Sequence, residues 1–321
     1  MSMHEISPEG VVTLGDALLA HLGVEPGAKL KVEFLPNGII SLRAAKPRPS
    51  AQLPGGSQRE HGKEQPMTLK RVNYDDNQHR TYAEGRRMPA AVAARWMARF
   101  AAHLPARRPL TIVDLGSGVG RLTPALAEAF GGPVYGVEPA DRMRAIAEAS
   151  AAHPAVRYLR GEAAAMPLPD QSADAVLMFL SLHHVPDKAA AAREIARVLK
   201  PDGRLLIRTG FGDRLADIWW HRFFPRGREI EEQMFPTLAE VTDLFAAAGL
   251  NVLALQEVTE VYAANGLEAA EKLRLRAISP FEHMNEAEIE EGFARLDAWL
   301  AAGKADEAPT TFQAELLVLG R

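Results

Sequence analysis

From Leu110 onward, short apolar runs rich in β-branched residues alternate with stretches of helical periodicity. No other feature narrows the possible folds as far. Strands are expected at Leu110–Leu115, Val134–Glu138, Val156–Arg160, Ala173–Leu180, Arg204–Thr209 and Val252–Val258. Helices are expected at Arg121–Phe130, Asp141–Ala152, Lys188–Leu199 and Leu238–Ala248. Repeated strand–helix units build a mostly parallel sheet covered by helices on both faces, an α/β architecture. Ligands of such sheets sit beyond the carboxyl ends of the strands. "KPDG", Lys200–Gly203, with Pro second and Gly fourth, fits a type I turn between the Lys188 helix and the Arg204 strand.

The first strand runs into "TIVDLGSGVGR", Thr111–Arg121. A P-loop requires a lysine after its last glycine, and none follows Gly116, Gly118 or Gly120. A dinucleotide fingerprint wants glycine or alanine where Arg121 stands, which weakens that reading but leaves it open. What remains is an acidic residue, Asp114, before a G-x-G-x-G loop, with Glu138 ending the next strand. Glu138 lies 22 residues beyond Gly116, where a carboxylate can accept both hydroxyls of a ribose. The plainer alternative is a tight turn followed by a carboxylate that caps a helix.

Residues 110–210 resemble the class I S-adenosylmethionine-dependent methyltransferases, in particular the small-molecule group near the ubiquinone/menaquinone-type enzymes. "VDLGSGVGR", "GVEPADRM", "LRGEAAAMPLPDQSADAV", "FLSLHHVPD" and "EIARVLKPDGRLLI" follow one another at the family's spacing. The resemblance implies a Rossmann-like seven-stranded methyltransferase sheet and S-adenosylmethionine as cofactor, which carries no phosphate. It places Gly116, Ser117, Gly118 and Gly120 against the methionine part of the cofactor, with Asp114 orienting the loop and the ammonium group. Glu138, followed by Pro139, would bind the ribose, and Met143 would pack on the adenine. Gly161, Glu162 and Ala163 would meet the adenine edge, with Glu162 one methylene longer than the family's usual aspartate. Phe179 and Leu180 would line the cofactor from the fourth strand.

Methyl transfer from a sulfonium needs alignment and exclusion of water, and a base when the acceptor is a hydroxyl or carbon acid. His183, His184 and His221 are the candidate bases; they lack the spacing of a metal pair, so no metal is expected. Adjacent histidines point in different directions, so at most one of His183 and His184 is expected to face the site. An insertion near 211–236 carries six of the chain's 21 aromatics: Phe211, Trp219, Trp220, Phe223, Phe224 and Phe235. A second insertion, near 266–303, has two helix-like stretches. Together they are expected to cap a flat or apolar acceptor, with ring packing against the core as the plainer role. Upstream, "YDDNQHRTYAEGRRMP" resembles the segment that folds over the cofactor in this family. Tyr74, Tyr82 and Arg86 are its candidate contacts, Arg86 for the cofactor carboxylate.

Residues 47–66 hold four Pro, three Gly and Leu53 as their only large apolar side chain, which suits a flexible linker. It separates residues 1–46 from a methyltransferase domain at 67–321. The short unit has expected strands at Val11–Leu14, Leu30–Leu35 and Ile39–Leu42 and one amphipathic helix presenting Ala17, Leu18 and Leu22. "ISPEGVVTL", "LGVEPGAKLKVEF" and "NGIISLR" resemble the AbrB/MazE-type swapped-hairpin domains. That resemblance implies a β-rich homodimerisation domain and raises DNA as a partner. Residues 1–46 carry four Lys/Arg against five Asp/Glu, a poor balance for neutralising phosphates, so DNA binding is disfavoured. With no cysteine, no secretory signal and no membrane-length apolar run, a cytoplasmic protein is expected. The overall expectation is a methyltransferase of a small organic acceptor. The competing one is a DNA-binding regulator whose methyltransferase-like domain senses the cofactor.

Overall fold

The computed structural model describes residues 30–35, 39–44, 88–215, 218–307 and 310–321. The chain divides into two units, Met1–Met67 and Thr68–Arg321. In the first, β1 (Leu30–Leu35) pairs antiparallel with β2 (Ile39–Ala44), from Leu30 opposite Ala44 to Leu35 opposite Ile39. The expected Val11–Leu14 strand, the Ala17–Leu22 helix and the 47–66 linker lie outside the described residues, as do Tyr74, Tyr82 and Arg86.

The second unit is built on a seven-stranded sheet in the order β5-β4-β3-β6-β7-β9-β8. The strands are β3 (Ile112–Leu115), β4 (Val134–Val137), β5 (Val156–Leu159), β6 (Ala173–Phe179), β7 (Leu199–Thr209), β8 (Asn251–Val261) and β9 (Thr311–Gly320). Strands β3 to β7 pair in parallel, and β9 runs antiparallel between β7 and β8. All seven residues of β6 are buried, as expected of a central strand covered on both faces. The edge strand β5 has no fully buried residue. The chain winds outward from β3 to β5, then returns to place β6 on the other side of β3. That reversal opens a crevice beyond Leu115 and Phe179, where sheets of this kind hold ligands.

Helices α1 (Ala90–Ala101), α2 (Thr123–Phe130), α3 (Asp141–Ser150), α4 (Lys188–Val198), α5 (Pro225–Met234) and α6 (Leu238–Ala246) surround this sheet or extend from it. Helix α1 adds to the elements expected from sequence. It presents Val92, Ala93, Trp96, Met97 and Phe100 from one face, joining Leu126 and Phe130 of α2 and Leu177 and Leu316 of the sheet in one core. Helix α6 starts on a full capping box, Thr237 with Glu240.

The expected "KPDG" turn is realised differently. Strand β7 already begins at Leu199, which pairs with Ala173, and Arg204 pairs next with Ala175. Lys200–Gly203 is therefore an outward excursion within the strand, because Leu199 is buried and takes up sheet pairing before the chain turns.

The two insertions contain α5, α7 (Gly266–Arg274) and α8 (Glu286–Ala301). Trp219, Trp220, Phe223, Phe224 and Phe281 pack with Leu273, Ile289 and Leu296 into a second apolar core of their own. Its rings meet mostly edge to face, for example Phe224 on Phe281 at 5.1 Å and 88°. Among the described residues no helix is long and apolar enough to cross a membrane.

Candidate active site

The glycine loop spans the crevice between β3 and α2, and each of its glycines adopts a positive φ, +76° at Gly116, +57° at Gly118 and +75° at Gly120. Two of them are also wedged. A Cβ on Gly116 would come within 2.5 Å of the Ser181 Cβ, and one on Gly120 would meet the Tyr158 ring hydroxyl and the Ala151 methyl. At Gly118 the nearest atom to such a Cβ is the Met143 Cε, 3.6 Å away, so this backbone faces open space. The Ser181 hydroxyl donates to the Leu115 carbonyl at 2.7 Å, tying the exits of β3 and β6 together. Leu180, just before it, has φ +57°, a left-handed conformation that costs a non-glycine residue about 1–2 kcal/mol.

A cavity of about 650 Å³ opens at this point, within the range of small-molecule sites. Every cofactor residue expected from the described sequence lines it except Gly120: Asp114, Gly116, Ser117, Gly118, Glu138, Pro139, Met143, Gly161, Glu162, Ala163, Phe179 and Leu180. Gly120 instead makes room for Tyr158 behind the loop.

Two carboxylates organise the polar wall. Glu138, 8% exposed, accepts from the Gly118 N–H and the Ala140 N–H, each at 2.9 Å. It therefore caps the start of α3 and braces the loop together. Its carboxylate also lines the cavity. Asp114 accepts from the Thr123 hydroxyl at 2.7 Å. Burial pushes its carboxyl up to about 6, against the lowering effects of the Thr123 bond and the Arg121 charge. The Ser117 hydroxyl is buried with no hydrogen-bond partner among the described residues.

The three histidines differ in what they face. His184 lines the cavity. His183 is not on that wall; its ring packs against His184 at 3.9 Å and edge-on to Phe235 at 4.5 Å. His221 does not reach the cavity either: it is buried in the insertion region, with Nε2 3.0 Å from Glu231 Oε2 and its ring on Trp220. The six aromatics of the 211–236 insertion are likewise absent from the cavity wall, because the two insertions consume most of them in their own core. Three polar lining residues were not among the expected site residues: Arg121, Ser181 and Asp187. Asp187 also caps α4, its carboxylate accepting from the Ala190 N–H.

A family model described as a methyltransferase domain matches residues 113–207. The demethylmenaquinone methyltransferase of Thermus thermophilus is 38% identical over 116 residues, covering 35% of this chain and 53% of that protein. The demethylmenaquinone methyltransferase of Bacillus licheniformis is 30% identical over 163 residues, covering 44% of this chain and 70% of that protein. The chain belongs to the S-adenosylmethionine-dependent methyltransferase family. The first curated relatives are matched over about a third to a half of their own length. A solved methyltransferase from an antibiotic biosynthesis pathway of Anabaena variabilis shares the methyltransferase fold with a TM-score of 0.61. It is 24% identical and covers 73% of this chain and 99% of its own.

The cavity wall suits the cofactor of that family. Gly118 leaves a backbone cradle that any Cβ would narrow, Ser117 offers an unmatched hydroxyl, and Glu138 faces the same space.

Proposed function

We propose that this methyltransferase moves a methyl group from S-adenosylmethionine to a small, apolar or aromatic organic acceptor. The observation that carries the reading is the 650 Å³ cavity at the sheet's switch point, into which the glycine loop, Glu138 and the exit of β6 all open. The cofactor, when bound, supplies a methyl group already activated on a cationic sulfur. Glu138 would hold the ribose, Met143 would pack on the adenine, and the Gly118 backbone would let the methionine part approach closely. Asp114 contributes negative charge near the ammonium group. His184, at the cavity wall beyond β6, takes the proton of a hydroxyl acceptor on a ring nitrogen. Phe179 and Leu180 keep water from the transfer path. The demethylmenaquinone relatives support a hydroquinone-like acceptor as the first class to try.

Calorimetric titration with S-adenosylhomocysteine, with NADH as control, tests the cofactor assignment. Micromolar binding of S-adenosylhomocysteine alone is expected, and binding of NADH alone overturns it. Methyl transfer to a panel of hydroquinones and phenols then tests the acceptor class. Turnover restricted to polar amines overturns that class.

A further inference from the structure

Phe179 ends β6 at the cavity wall, and much of what holds its ring lies outside the cavity. The Trp96 ring of α1 meets it edge-on at 5.1 Å and 87°. The Arg208 guanidinium carbon, from β7, lies 5.3 Å from its centroid and 5.6 Å from that of Phe312. Arg208 is 6% exposed, and among the described residues its one ion-pair partner is Glu260 of β8. Glu260, itself 8% exposed, also accepts from the Trp96 indole N–H at 2.8 Å. One buried carboxylate thus anchors both Trp96 and Arg208 against the ring. Neither Trp96, Arg208 nor Glu260 lines the cavity.

A buried ion pair seldom adds stability over apolar packing of the same volume, so the use of this one lies elsewhere. An aromatic face attracts cations, and a guanidinium already on Phe179 opposes any further cation brought to that wall unless its charge is cancelled. Arg121 also lies over this ring, at 5.2 Å, and the Asp114 carboxyl feels its charge. Each guanidinium at Phe179 is therefore set against a carboxylate. The methyl donor carries a cationic sulfonium, and the product it leaves is a neutral thioether. We propose that Glu260 is a positioning residue for the donor. Acting through Arg208 and Trp96, it holds Phe179 in place and keeps the charge beside that ring cancelled, so that this wall admits the cationic sulfur. The proposal rests on the methyltransferase reading above.

The full chain and its Glu260→Gln, Arg208→Met and doubly substituted variants are titrated with S-adenosylmethionine and with S-adenosylhomocysteine. These ligands differ by the methyl group and the charge it places on sulfur. Glutamine keeps an acceptor for Trp96 and leaves Arg208 as an uncancelled cation. Glu260→Gln should weaken S-adenosylmethionine about tenfold more than S-adenosylhomocysteine, the scale of one unit charge acting across about 10 Å at an effective dielectric of about 20. The double variant removes both charges, and its ratio of the two affinities should return to within about twofold of the unaltered chain. Arg208→Met leaves the carboxylate alone; it should move the ratio the other way, and it serves if Glu260→Gln does not fold. Equal losses of both ligands in every folded variant, or no loss of either, make the pair structural and overturn the proposal. A ratio that stays shifted in the double variant overturns it as well. Failure of the unaltered chain to bind either ligand overturns the methyltransferase reading and this inference with it.

Discussion

The glycine loop and the aromatic insertions both read as ligand-facing in sequence, and the fold uses them in opposite ways. The loop spends its backbone on a cavity: Gly118 faces open space, and Glu138 braces the loop while lining that space. The insertions spend most of their rings on one another, with Trp220, Phe224, Phe281 and Phe293 packed at centroid distances between 5.1 and 6.1 Å. One region has polar groups arranged for something outside the chain, while the other has satisfied its surface within the chain. Aromatic content therefore signals burial, and only position decides against what.

Separate perturbation of the two regions breaks or sharpens this contrast. Trp220→Ala empties part of the insertion core and should cost about 4 kcal/mol of stability. Its affinity for S-adenosylhomocysteine should stay within about twofold. Urea denaturation and calorimetry on the same sample check both, and a matching fall in affinity would erase the distinction. Asp114 gives the next effect. Its folded pKa of about 6 lies above the ordinary value of 3.8 because of burial. The folded chain therefore holds a proton that the unfolded chain releases between those values. Stability should fall as pH rises through the window, by roughly 3 kcal/mol in all, and level off above it. Asp114→Asn should remove that slope in denaturation curves recorded from pH 4 to 7. Attraction for a ligand ammonium runs the other way, so S-adenosylhomocysteine affinity should rise through pH 6 only in the unaltered chain.

Glu138→Ala is the counterpart of the tryptophan change. Affinity for S-adenosylhomocysteine should drop about 100-fold, close to 2.7 kcal/mol, while stability falls only about 1–2 kcal/mol from the lost bonds to Gly118 and Ala140. A larger loss of stability than of affinity would make Glu138 a brace alone. The smallest effect is expected at Leu267, which opens α7 and is 58% exposed. Leu267→Ser should shift stability by less than about 0.5 kcal/mol, showing that the insertions' contribution comes from their inward rings.

What the sequence discloses follows from how local each feature is. Gly116, Gly118, Gly120 and Glu138 were legible because a strand-to-helix turn and the end of the neighbouring strand fix their spacing within one structural unit. The mostly parallel sheet follows from the alternation, and β3, β4, β5 and β6 end within two residues of their expected bounds, whereas the order of the strands is set by long-range pairing. Helix α1 was not among the expected elements although its buried face is legible, since Val92, Ala93, Trp96, Met97 and Phe100 recur at helical spacing; only the Trp96 bond to Glu260 is beyond local sequence. Arg121 was opaque for the same reason: its placement depends on Phe179 and, through it, on Arg208 and Glu260. His183 and His184 were indistinguishable until Phe235, from a distant insertion, claimed one of them. The swapped-hairpin, dimer and DNA expectations rest on residues 1–46, of which 30–35 and 39–44 are described.

The place of β9 has a consequence for how the chain assembles as it is made. In the sheet, β8 has a single neighbour, and that neighbour is β9, synthesised about fifty residues later. During translation the Asn251–Val261 segment must wait with both its edges unsatisfied, while the parallel strands on the far side of β7 can already close. Long-range pairing of this sort is slow, and it leaves an unpaired strand open to association with other chains. The step that ends this exposure is the insertion of Thr311–Gly320 between two strands already made, so the ribosome's pace over that stretch sets how long the hazard lasts.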